Sequence, residues 1–158
     1  MRKELIAYTA GLVDGEGSIQ INPNGLKKGS KRNRYWGLSI QVSSGDGKNL
    51  KRLCKEWGVG KVGEWLPKGS RKDRRSYNWR LYSKEAELFL QTILPYLRIK
   101  KQNAKLALKF RKLVGFSSWH LPEKVSEKRT LLALKMRELN QKFGKGLMNN
   151  NIFKDKIR

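Results

Sequence analysis

The chain has 158 residues, enough for one domain with a real core and too few for two comfortable ones. Its 36 Lys and Arg against 13 Asp and Glu leave a formal net charge of +23, which points to a polyanionic partner. A hydrophobic content of 38% with five Trp excludes a disordered basic tail. The basic residues are interleaved with polar and aromatic positions rather than gathered on one amphipathic helix, which favours nucleic acid over a membrane surface.

The start of the chain leaves no room for a signal peptide, because Glu4 and a motif of small and apolar residues follow at once, and no transmembrane run is visible; an intracellular protein is expected. Leu5 to Val13 is apolar or small at nearly every position, the pattern of a helix with more than one buried side. Ala7 and Gly11 lie four apart with Ala10 beside them on the same face, so a second backbone can approach closely. The run is far too short to cross a bilayer, and a seam between soluble helices is the better reading. Gly15 and Gly17 end the helix and can take positive φ there, after which Ser18 to Asn22 alternates like a strand. Asp14 and Glu16 both oppose the dipole at this helix end and need another source of stabilisation. Two accounts stand for them. In one, Asp14 bonds the loop backbone and Glu16 is merely exposed; in the other, Glu16 is a ligand for a hard divalent cation.

Asn22-Pro23-Asn24-Gly25 reads as a turn signal, and the basic loop behind it carries Lys27, Lys28, Lys31, Arg32 and Arg34, either as solubilising charge or as phosphate contacts at the rim of a nucleic-acid site. Tyr35 to Ser43 is the clearest strand. Trp36, Leu38, Ile40 and Val42 take one face and Tyr35, Gly37, Ser39, Gln41 and Ser43 the other. With Gln20 and Asn22, that polar face offers amides and hydroxyls suited to base edges; a solvated sheet face is the plainer alternative. Ser44 to Gly47 turns into a helix of about Lys48 to Trp57, capped by Gly58 and holding the lone Cys54, so neither an intramolecular disulfide nor a cysteine-built zinc site can form. Val59 to Leu66 and Arg74 to Tyr82 read as a second strand pair around another basic loop containing Arg71. Arg74, Ser76, Asn78 and Arg80 form the groove-facing set, with Arg80 suited to guanine, Asn78 to adenine, and Lys61 chosen as the same side of the earlier strand.

Ser83 reads as the N-cap of a helix stopped by Pro95. A further helix is expected from about Lys101 to Val114, and a last one from about Glu123 to Phe143 that covers the core. His120 is alone, which removes most histidine-based mechanisms and leaves it an ordinary loop residue. Residues 1–144 then make one domain and 145–158 a basic tail, frayed or lying on nucleic acid. No internal repeat is visible.

The run Ala10-Gly11-Leu12-Val13-Asp14-Gly15-Glu16-Gly17 resembles the signature of the LAGLIDADG homing endonucleases, with Thr9 where that family usually has Leu and Glu16 where Asp is commoner. Element order over the first ~110 residues, αββαββα, is similar too. The resemblance implies an α/β (α+β) fold with a saddle-shaped antiparallel sheet and extra C-terminal helices. It also implies a site-specific double-strand break in a long, pseudo-palindromic DNA target, with hydrolysis dependent on two divalent cations, Mg²⁺ or Mn²⁺. On that pattern Glu16 is the catalytic, metal-binding acid and Gly15 the neighbouring carbonyl. Lys100 and Lys48 offset developing phosphorane charge, and Ser44 positions water. One copy of the motif implies a homodimer through the helix of residues 5–14. It also implies a home in an organelle (chloroplast or mitochondrion) or the prokaryotic cytoplasm. An intron maturase bound to intron RNA, or a DNA-binding regulator without chemistry, are the rivals on the same fold.

Overall fold

The computed structural model describes residues 2–24, 35–66, 75–113 and 122–143. The basic loops with Lys27, Lys28, Arg32, Arg34, Arg71 and Arg74, the His120 segment and the 145–158 tail lie outside the described residues, as does the side chain of Tyr35.

Helix α1 (Lys3–Glu16) carries Glu4 in its first turn, where the dipole favours an acid, and buries Thr9, Ala10, Val13 and Asp14. Among the described residues this side is the covered one; Ala7 and Gly11 are exposed and Ala10 lies on the opposite, buried side, so the expected grouping of the three on one face is corrected. The helix ends otherwise than its glycines suggest. Gly15 is inside it, and Gly17 is extended (φ −88°), donating its N–H to the Val13 carbonyl. Gly17 is required by proximity instead, because a Cβ there would sit 2.5 Å from that carbonyl oxygen.

Strands β1 (Gly17–Asn24) and β2 (Tyr35–Ser44) pair antiparallel from Gly17↔Val42 to Asn24↔Tyr35. Helix α2 (Gly47–Trp57) starts under Asp46, whose carboxylate accepts the N–H groups of Lys48 and Asn49. It stops at Gly58, left-handed at φ 66° as the sequence leads one to expect. Strands β3 (Lys61–Trp65) and β4 (Ser76–Tyr82) are shorter than their apolar patterns; before β3, Gly60 turns with φ 79° against Trp79. Helix α3 (Ser83–Ile93) has Tyr82 at its cap. The predicted Ser83 cap is corrected, for Ser83 is the first helical residue, sits at φ 48° and makes no side-chain capping bond. Helices α4 (Lys101–Arg111) and α5 (Glu123–Phe143) follow; α4 ends before Val114 because Leu113 N–H already bonds back to Phe110.

The sheet runs β1-β2-β4-β3. Its inner face, from Ile19, Ile21, Leu38, Ile40, Val42, Trp79 and Leu81, is buried under the helices, and Phe89 of α3 packs its ring 4.6 Å from Trp57 and 5.3 Å from Trp79. Each such side chain contributes about 1.5–3 kcal/mol by leaving water. Helix α5 covers this core with Leu132, Ala133 and Met136, while Leu131 and Leu134 stay exposed. Its Asn140 ties α4 to β1, accepting from Asn103 and donating to the Ile19 carbonyl. Mixed α/β architecture with one antiparallel sheet is thus as the sequence indicates. Among the described residues no helix is long and apolar enough to cross a membrane.

Candidate active site and nucleic-acid interface

The alternation of β strands divides the sheet into two faces, and the face away from the helices is polar from edge to edge. The register sets its residues in rows: Asn22 beside Gly37; Gln20 beside Ser39 and Tyr82; Ser18, Gln41, Arg80 and Lys61; Ser43, Asn78 and Gly63; Ser76 beside Trp65. Gln20, Asn22, Ser39, Gln41, Ser43, Lys61, Ser76, Asn78 and Arg80 therefore share one surface. Trp65, on the face of Lys61, and Tyr82, which the sequence reading passed over, stand in the same rows and are about half exposed. Parity with Arg80 was the signal that could have found Tyr82.

These polar groups bond one another. Along β1, Asn22 donates to Gln20 (2.6 Å) and Gln20 to Ser18 (2.8 Å). Across β2 and β4, Arg80 Nε donates to Gln41 Oε1 (3.1 Å), Gln41 Nε2 to Asn78 Oδ1 (3.0 Å) and Ser43 Oγ to Asn78 Oδ1 (2.6 Å). Asn78 is only 7% exposed in consequence.

At one end of this surface lie the two acids of the last turn of α1, in opposite situations. Asp14 is buried and fully engaged: its Oδ2 accepts the N–H groups of Arg98 (2.7 Å) and Ile99 (3.2 Å), its Oδ1 that of Lys100 (2.8 Å), and its main-chain carbonyl the Lys100 ammonium. Since α4 has no side-chain cap of its own, Asp14 serves as one from a remote part of the sequence. Glu16 is exposed and stands one residue before Gly17, whose partner is Val42, which places it at the Ser43–Ser44 end of β2. Asp14 thereby brings Lys100 to Glu16. Burial pushes the Lys100 ammonium below its ordinary range, against the attraction of Asp14 and then Glu16, which favour the charged form.

Ser44 and Lys48 flank the same corner. Ser44 Oγ accepts the N–H of Asp46 (3.0 Å), and Lys48 is exposed in the first turn of α2. That turn is fixed to α1 by Asn49, which donates to the Tyr8 hydroxyl (2.8 Å), and it is seated under Tyr77, whose ring a Cβ at Gly47 would strike at 2.7 Å. Thr9 also has a local reason: its hydroxyl donates to the Leu5 carbonyl (2.7 Å) and accepts the Trp57 indole N–H (3.0 Å), locking α1 on α2. The sequence reading missed these roles of Asp46, Tyr8 and Thr9. Only Asp46, an acid just ahead of a helix, carried a local signal.

Two short antiparallel pairs joined in one sheet, backed by helices and carrying an acid at the end of a small-residue helix, define a LAGLIDADG-type fold. In motif and in fold the chain is similar to the LAGLIDADG homing endonucleases. It is 32% identical over 111 residues to the DNA endonuclease I-CreI of Chlamydomonas reinhardtii, across 68% of this chain and 62% of that protein, so it spans less than two thirds of that relative. Its fold matches the homing endonuclease I-CvuI, solved in complex with a DNA target in the presence of Mg, with a TM-score of 0.71 at 22% identity over 91% of this chain and 84% of that one. It also matches the LAGLIDADG homing endonuclease I-SmaMI bound to cleaved DNA, with a TM-score of 0.65 at 21% identity over 98% of this chain and 54% of that one. No family model matches the chain.

Proposed function

We propose that this protein is a homodimeric homing endonuclease that makes a site-specific double-strand break in a long, pseudo-palindromic DNA target. One observation carries the reading: an exposed carboxylate, Glu16, stands beside a half-buried lysine at the end of a polar sheet surface, while its neighbour Asp14 is committed to structure. The sheet supplies groups for base edges. The basic loops supply phosphate contacts through Lys27, Lys28, Arg32, Arg34, Arg71 and Arg74, with Tyr35 at the first position of β2.

The donor set fits a hard divalent cation. Among the described residues no group of three His, Cys, Asp or Glu could hold a metal ion by itself, and the oxygens this reading assigns to the cation from one chain are the Glu16 carboxylate and the Gly15 carbonyl. A second subunit's Glu16 and the phosphate oxygens of the substrate would complete an all-oxygen set. When bound, Mg²⁺ or Mn²⁺ supplies Lewis acidity and activates water. The chain's own residues do the rest. Lys100, held by Asp14, and Lys48, on the exposed first turn of α2, place positive charge where phosphorane charge develops. The Ser44 hydroxyl, which accepts from Asp46, keeps its proton to orient a water molecule.

Dimerisation through α1 is supported by its bare side, where Ala7, Tyr8, Gly11 and Gly15 are exposed and a Cβ at either glycine meets nothing within 4 Å. It is supported also by coverage, since this chain matches about half of a longer relative, I-SmaMI. Selection of cleaved duplexes from a randomised library in Mg²⁺, and of bound ones in Ca²⁺, tests the whole reading. Glu16→Gln is expected to abolish cleavage while leaving selective binding intact; cleavage at the parental rate by that variant would show the assignment of Glu16 to be wrong.

A further inference from the structure

The cluster on β2 and β4 has a fixed polarity that the rest of the polar face lacks. A guanidinium has only donors, so the Gln41 atom 3.1 Å from Arg80 Nε is the carbonyl oxygen. Gln41 therefore turns its amide nitrogen toward Ser43 Oγ (3.2 Å) and Asn78 (3.0 Å), and the Asn78 atom in that contact must be Oδ1, which accepts the Ser43 hydroxyl as well (2.6 Å). Asn78 Oδ1 already accepts two hydrogen bonds, and both amide hydrogens of Gln41 are donated. Recognition of adenine by Asn or Gln needs the carbonyl and the amino group together, so neither Gln41 nor Asn78 can provide it while the cluster stands. Asn78, at 7% exposure, is also too deep to reach a base edge. What remains presented outward is the exposed end of Arg80, with its Nε already held. The β1 chain differs: Asn22, Gln20 and Ser18 end on a hydroxyl that donates or accepts equally well, so those amides can reverse.

We propose that Arg80, Gln41, Asn78 and Ser43 act as one unit that reads a single guanine in each half-site: Arg80 contacts the O6 and N7 acceptors, and Gln41 and Asn78 are positioning residues with no base of their own. This inference rests on the reading of the sheet as a DNA surface. The Arg80–Gln41 pair lies opposite Ser18, one register step from the end of β1 next to Glu16, so the guanine belongs to the inner part of the half-site, near the cleaved bonds.

Two measurements on the full chain test it. Without DNA, the Arg80 Nε–H is expected as a resolved, exchange-protected resonance in the nitrogen-correlated NMR spectrum, lost in Gln41→Met; an Arg80 signal already averaged in the parent overturns the unit. With DNA, selection of bound duplexes from a randomised library in Ca²⁺ is expected to return guanine at one inner position per half-site. Discrimination there should fall at least ~10-fold in Arg80→Ala, and also in Gln41→Met and Asn78→Ser, with the other positions unmoved. A separate adenine preference that disappears in Asn78→Ser while the guanine persists shows independent readers and overturns the proposal. Enrichment of no duplex at all overturns the DNA reading and this assignment with it, whatever the resonance shows.

Discussion

Helix α1 has two sides that do different work. One is built into its own subunit: Thr9 receives the Trp57 indole, Ala10 and Val13 are fully buried, and Asp14 holds the turn before α4. The other, with Glu4, Ala7, Tyr8, Gly11 and Gly15, is exposed, and a side chain added at Gly11 or Gly15 would meet only open space. Buried groups on the first side are irreplaceable for folding, whereas small residues on the second have no value to a lone subunit, where glycine only weakens a helix. Their presence there makes sense for a surface that another backbone approaches. The contrast can be broken at three places, taken here in order of the expected effect on the fold of one subunit.

Asp14→Ala should do the most damage. It removes a carboxylate that accepts three backbone N–H groups and leaves those donors half-buried without their acceptor. A loss of about 3 kcal/mol of unfolding free energy is expected in urea titrations. Glu16→Ala, two residues along the same helix, should leave the urea midpoint where it is, because Glu16 is exposed. Equal shifts in the two variants would erase the distinction between the acid built into the fold and the exposed one.

Gly17→Ala comes next. The new methyl would stand 2.5 Å from the Val13 carbonyl oxygen and 2.8 Å from its Cα, both backbone atoms that cannot swing aside. Roughly 2 kcal/mol of destabilisation follows from forcing that turn open. Gly15→Ala is the control: it lies inside the helix with nothing within 4 Å, and gains up to ~1 kcal/mol of helix propensity in the isolated subunit. Thermal unfolding at concentrations below self-association should therefore move in opposite directions for two glycines separated by one residue.

These pairs also show what could be read from the sequence. Alternation placed Ser39, Gln41, Asn78 and Arg80 on one face, and the Gly58 stop of α2 was legible, because strand parity and a left-handed helix end are local properties. Glu16 stood out from its motif. The partners of Asp14 were not legible, since the N–H groups of residues 98–100 come from a distant turn that only the folded chain brings near. The same limit hid the Thr9–Trp57 bond and made Ala10 look like part of the exposed seam. Gly17 was read for its φ freedom when its missing Cβ was the property that mattered. Asn78 was read as a base contact because one strand at a time cannot reveal that Gln41 and Ser43 occupy its carbonyl.

Gly11→Leu has the smallest effect on the subunit and separates the two sides of α1 most cleanly. A Cβ at this position meets nothing within 4 Å and leucine replaces the weakest ordinary helix former, so the isolated subunit should be as stable as the parent or up to ~1 kcal/mol more so. On the proposed seam the same side chain would hold two helices apart, and small residues are what permit close backbone contact. Sedimentation velocity should then find the parent as a dimer and the variant as a folded monomer with an unchanged far-ultraviolet circular dichroism spectrum. The variant should bind duplex DNA only through half a site, and its double-strand cleavage should be lost with Glu16 still in place. A variant that remains dimeric would move the interface off α1, and the bare side of that helix would need another explanation.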